Sequence, residues 1–140
     1  MLPLFALLFL LAQAPGDAVT YIPAKDVAAA QEKTPAPIAK GEKYSVLSVK
    51  RVKAGESEIH ALDLDVFYIV DGSATFTTGG TVVGGKTTAP NEIRGTSIKG
   101  GKVRKLSKGD VLVIPAGTPH WFTEVQGSVT YFIVKVATKP

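Results

Sequence analysis

The chain contains two histidines, His60 and His120, and no cysteine. Without thiolates, any metal it binds must be held by nitrogen and oxygen donors. Each histidine sits in a segment of apolar residues punctuated by Gly, Pro or both, Glu58 to Gly72 and Gly109 to His120. Such punctuation is the pattern of strand, turn, strand. Side chains at i and i+2 share one face of a strand, so Glu58 stands beside His60. If the second segment folds over the first, His120 completes a cluster of imidazole and carboxylate. Nucleophilic and nucleotide chemistry find no matching parts: two histidines, no cysteine, and no G-x-x-x-x-G-K-[ST].

The elements that position these groups read as mostly β. A chain of 140 residues supports one domain, and its 14 Gly and 9 Pro favour many turns over long helices. Strands are expected over Tyr44 to Lys53, Glu58 to Leu64, Asp65 to Val70, Ser73 to Thr78, Thr81 to Val83, Lys102 to Leu106 and Val129 to Val136. Asp71-Gly72 reads as a tight hairpin turn. Lys86 to Arg94 reads as loop, with a turn at Ala89-Pro90-Asn91. Glu92 and Arg94 in that loop reach over the mouth of a pocket or pair with each other. His60 and Asp65 are an odd number of residues apart, so both face inward only if a turn or bulge separates them.

Ahead of the strands, residues 2 to 14 form an uncharged apolar run. It is shorter than the about twenty residues that span a bilayer, so no stable membrane anchor is expected. With Ala14-Pro15-Gly16 before Asp17 it matches a secretory signal peptide over 1–16 and predicts a periplasmic or secreted protein. Residues 17–43 hold a short helix within Pro23 to Lys33 and a Pro-rich extended connector at Thr34-Pro35-Ala36-Pro37.

The motif G-x5-P-x-G-x2-H-x3-E from Gly109 to Glu124 resembles the second motif of the cupins, which ends in Asn where this chain has Glu124. The stretch E-x-H-x4-D-x6-G from Glu58 to Gly72 resembles the first cupin motif, with Glu58 in place of His and Asp65 in place of Glu. The resemblance covers roughly residues 44 to 136. It implies an all-β, antiparallel jelly-roll (cupin) barrel over 44–140, preceded by the short N-terminal helix, with inward side chains lining a pocket. It also implies a homodimer and a ligand set of Glu58, His60, Asp65 and His120. Two imidazoles and two carboxylates suit a divalent metal ion, Fe, Mn, Zn or Ni. Both substitutions keep a donor atom, and two carboxylates offset the charge of the ion.

Parity then nominates lining residues, with Phe67, Phe122 and Glu124 as the substrate-binding set and barrel core as the other reading of the apolar ones. Phe67 and Ile69 share the face of Asp65; Phe122 and Glu124 share that of His120, with Glu124 as a supporting or proton-transfer group. Trp121 is expected to face outward, into an interface or against the helix. Six cations and no acid lie between Arg94 and Lys108, but without interleaved aromatics this block reads as solvated, and no nucleic-acid partner is expected. Two functions fit: a metal-dependent enzyme of dioxygenase, isomerase or hydrolase type acting on a small polar or acidic molecule, and a non-catalytic cupin that binds a small-molecule ligand.

Overall fold

The computed structural model describes residues 18–139. The signal-peptide segment expected over 1–16 lies outside them. No helix among the described residues is long and apolar enough to cross a membrane. The helix α1 (Ala24–Gln31) follows Pro23 and contacts β1 (Ala36–Lys40) and β2 (Tyr44–Arg51). The connector expected at 34–37 thus passes directly into a strand. That strand pairs on one side only and shifts register between Pro37 and Ala39, an edge setting in which proline's missing N–H costs no ladder bond.

The remaining strands are β3 (Ser57–His60), β4 (Asp63–Thr78), β5 (Thr81–Val83), β6 (Lys86–Ala89), β7 (Glu92–Gly95), β8 (Ser97–Lys99), β9 (Lys102–Ser107), β10 (Val111–Ile114) and β11 (His120–Ala137). All pairings are antiparallel. The two long strands β4 and β11 pair along most of their length and serve both walls of the jelly roll. Their outer partners change midway. The first half of β4 pairs with β10 and its second half with β9; the C-terminal half of β11 pairs with β2, while its first residue, His120, pairs with Glu58 of β3. One wall is therefore β1, β2, late β11, early β4 and β10. The other is β6, β7, β3, early β11, late β4 and β9.

This arrangement corrects the hairpin expected at Asp71-Gly72. The chain continues as strand there, and the register with β11 slips between Gln126 and Val129 and again between Thr130 and Tyr131. Gly72 has φ +80°, and a Cβ at that position would lie 1.9 Å from the Ser128 carbonyl oxygen. It bends a strand across both walls where a turn would have ended it. Lys86 to Arg94 likewise becomes the β6–β7 hairpin, turning at Asn91 with φ 62°. A loop long enough to be floppy is replaced by a ladder, which fixes the placement of every side chain on β7.

The core lies between the walls. Phe67, Ile69, Val49 and Tyr131 come from one; Ala74, Phe76, Phe122 and Leu106 from the other. The rings interlock, with Phe76 and Phe122 centroids 4.6 Å apart and Phe67 and Tyr131 5.2 Å apart. Burying aromatic side chains of this size contributes roughly 1.5–3 kcal/mol each, and the resulting rigid floor supports a polar cluster above it.

Candidate metal centre

Glu58 and His60 project from β3 on one face, as their i, i+2 spacing requires. The bend at Ala61-Leu62 separates β3 from β4, so Asp65 also turns inward despite the odd count. His120 opens β11, opposite Glu58. His60, Asp65 and His120 are 8%, 1% and 4% exposed. Donor atoms of Glu58, His60 and His120 all lie within 4.8 Å of one another. The Nε2 atoms of His60 and His120 stand 3.5 and 3.6 Å from the same oxygen, Glu58 Oε2. Two ligands of an ion bound at about 2.1 Å stand roughly 3.0–3.4 Å apart, so these atoms need close only slightly to share one.

The far side of each of these side chains is already engaged. His60 Nδ1 is 2.6 Å from Glu92 Oε2, and His120 Nδ1 is 3.0 Å from the Thr118 carbonyl oxygen. Each acceptor takes the Nδ1–H, leaving the Nε2 lone pair directed at the cluster, the tautomer a metal requires. Arg94 donates to Glu58 Oε1 and leaves Oε2 for the cluster. These partners come from one strand: in the β3–β7 register Glu58 faces Arg94 and His60 faces Glu92. Glu92 and Arg94 neither pair with each other nor stand free at the mouth. That supporting role was hidden in the sequence because it depends on the register between two separate segments.

Asp65 stands differently. Its Oδ2 is 3.5 Å from His60 Nε2, but its Oδ1 accepts from Lys135 Nζ at 2.9 Å, its direct cross-strand neighbour. Asp65 is outside the three-residue cluster. Lys135 was not anticipated; the alternation of Tyr131, Ile133 and Lys135 on β11 was its only signal.

Of the five buried side-chain atoms without a hydrogen-bond partner among the described residues, two lie here, His120 Nε2 and Asp65 Oδ2. Buried polar atoms are ordinarily satisfied, so a pair of unsatisfied acceptors beside converging donors fits a cation. Burial favours neutral His60 and Lys135 disfavours its charge, yet Glu58, Asp65 and Glu92 outweigh both and raise its pKa above the ordinary 6.5. Burial likewise opposes the charge on Glu58, while His120, His60 and Arg94 prevail and hold its carboxyl well below the usual carboxylate range.

The cluster opens into a cavity of about 550 Å³. Phe67 and Phe122 line it, as do Arg94 and Lys135. Glu124 does not: it is exposed, and this overturns its expected place beside His120. The register slips between Phe122, opposite Phe76, and Glu124, opposite Thr75. Thr123 is the extra residue, and the bulge reverses the parity that had put Glu124 inside. Trp121 is half-buried and lines the cavity, turning to the β2–β3 loop and donating its indole N–H to the Gly55 carbonyl at 2.7 Å, which corrects its expected outward place.

No family model and no curated protein matches the chain. Solved structures do. The cupin domain of Cnp3 from Schizosaccharomyces pombe superposes with a TM-score of 0.53 at 14% identity, covering 73% of this chain and 59% of that one. The chain has the cupin fold. KdgF from Halomonas sp. superposes on this cupin barrel with a TM-score of 0.53 at 18% identity, covering 74% of this chain and 76% of that one. A conserved protein of unknown function from Streptococcus pyogenes gives 0.50 at 16%, covering 75% and 74%.

Proposed function

We propose that the barrel binds a divalent metal ion through Glu58, His60 and His120 and acts as a metal-dependent enzyme on a small polar or acidic molecule, outside the cytoplasm. The observation that carries this reading is the pair of imidazoles whose Nδ1 atoms are occupied and whose Nε2 atoms face one carboxylate oxygen beside a cavity. Three protein ligands leave positions open for a substrate, the arrangement of catalytic sites. The ion, Fe, Mn, Zn or Ni, would supply Lewis acidity or an anchor for dioxygen. Glu92 and Thr118 fix the ring orientations, Arg94 aims Glu58, and the aromatic floor excludes water from below.

Elemental analysis of the purified mature protein beside His60→Ala and His120→Ala tests this. Wild type is expected to hold close to one ion per chain and both variants to lose it; equal content in all three removes the reading. A second reading, binding without turnover, draws on the commitment of the inner carboxylates: Glu58 to Arg94, Asp65 to Lys135 and Glu92 to His60. A metal-loaded protein that binds small acids and returns each of them unchanged would favour it.

A further inference from the structure

Among the charged groups lining the cavity, Arg51 is half-buried and has no carboxylate partner among the described residues. Arg94 is paired with Glu58 and Lys135 with Asp65, Lys50 faces Glu32 at 3.9 Å, and Lys53 is exposed. Arg51 occupies a built seat. Its Cζ lies 5.0 Å from the centroid of the Phe122 ring, and its Nε donates to the Tyr131 hydroxyl at 3.4 Å. The loop beside it makes room: a Cβ on Gly55 would come within 2.4 Å of Arg51 Nη1. Gly55 is itself held to β11, its N–H donating to the Phe122 carbonyl at 3.1 Å and its carbonyl accepting from Trp121. The cation–ring contact and the Nε bond seat the guanidinium while using neither Nη group.

We propose that Arg51 anchors the carboxylate of a small organic acid with an apolar or ring-shaped body. A fixed guanidinium presents a planar fork that matches a carboxylate with two parallel hydrogen bonds. The body of the acid lies along the ring of Phe122, whose centroid is 6.2 Å from that of Phe67; Phe67 in turn lies 6.3 Å from the His120 ring. A ligand held at Arg51 therefore extends along the aromatic floor toward the Glu58, His60 and His120 cluster. This names the substrate class for the metal-enzyme reading and rests on it for the far end of the ligand; the Arg51 end does not require the ion.

Fluorine NMR titration of 4-fluorobenzoate and 4-fluorobenzamide, alike in shape and different in charge, tests the anchor in metal-loaded and chelator-treated full-length protein. Wild type is expected to bind the acid at least about tenfold more tightly than the amide, the scale of a charge-assisted contact. Arg51→Met keeps an apolar stem and is expected to abolish the preference; Arg51→Lys retains part of it. Equal binding of the two probes by wild type, no binding of either, or a preference that survives Arg51→Met overturns the inference. Should Arg51→Met not fold, a preference unchanged in Arg51→Lys overturns it and a reduced one supports it. Wild type that shows the preference but takes up no added metal sinks the metal reading and leaves the anchor standing; wild type that takes up metal and shows no preference does the reverse.

Discussion

The two walls of the barrel each place a carboxylate near His60 and treat it in opposite ways. On the β3–β7 wall, Arg94 holds one oxygen of Glu58 and leaves the other to two imidazoles. On the other wall, where early β4 meets late β11, Lys135 answers Asp65 directly, and the two charges pair before any ion arrives. The cross-strand neighbour decides which carboxylate keeps an oxygen free for the proposed ion and which spends it on an ion pair. A guanidinium that braces a metal ligand from outside preserves its second oxygen; an ammonium in the cavity competes with the ion for charge.

The largest expected effects break the first wall. His60→Ala or His120→Ala should weaken metal binding well beyond the about 100-fold that loss of a supporting partner costs, whereas Asp65→Asn should cost less than about tenfold. Chelator competition measures both, and an equal loss at Asp65 would erase the distinction between the walls. Lys135→Met comes next. It strands a carboxylate that is 1% exposed, and should destabilise the metal-free protein by about 3 kcal/mol in urea unfolding. Adding Asp65→Asn should recover most of that; no recovery would mean that Lys135 acts through packing alone.

Glu92→Gln should lower metal affinity about 10- to 100-fold with little change in the fold, because the His60 ring loses its charged acceptor. Unchanged affinity would place the wall's advantage elsewhere. The smallest effect is in pH. The raised pKa of His60 contributes stability to the metal-free protein that is complete below its ordinary 6.5 and fades as pH rises through the raised value. Glu58, whose pKa is depressed, contributes above its ordinary 4.5 and loses that contribution only in strong acid. With metal bound the trend reverses near neutrality, since the ion requires neutral imidazole. Melting temperatures across pH 6 to 8, with chelator and with added metal, should diverge; parallel curves would count against the shared site.

Much of this contrast was legible in the sequence. The spacing of Glu58 and His60 placed both on one face, and the need for a break before Asp65 was visible from the odd count. The G-x5-P-x-G-x2-H stretch located His120. What escaped was anything that depends on register. Nothing along the chain tells that Lys135 opposes Asp65, or that Glu92 and Arg94 oppose His60 and Glu58, since those matches are set by distant ladders. Glu124 was misplaced because simple alternation cannot anticipate the added residue at Thr123. Asp71-Gly72 looked like a hairpin because the same dipeptide chemistry serves a tight turn and a bent strand.

The β6–β7 hairpin joins the main sheet through β3, and it carries both side chains that tune Glu58 and His60. Under the proposed metal reading, the tuning of Glu58 and His60 is therefore separable from the hydrophobic interior. Exchange of that short ribbon between related barrels would alter ligand basicity and leave the packing of Phe67, Phe76 and Phe122 untouched.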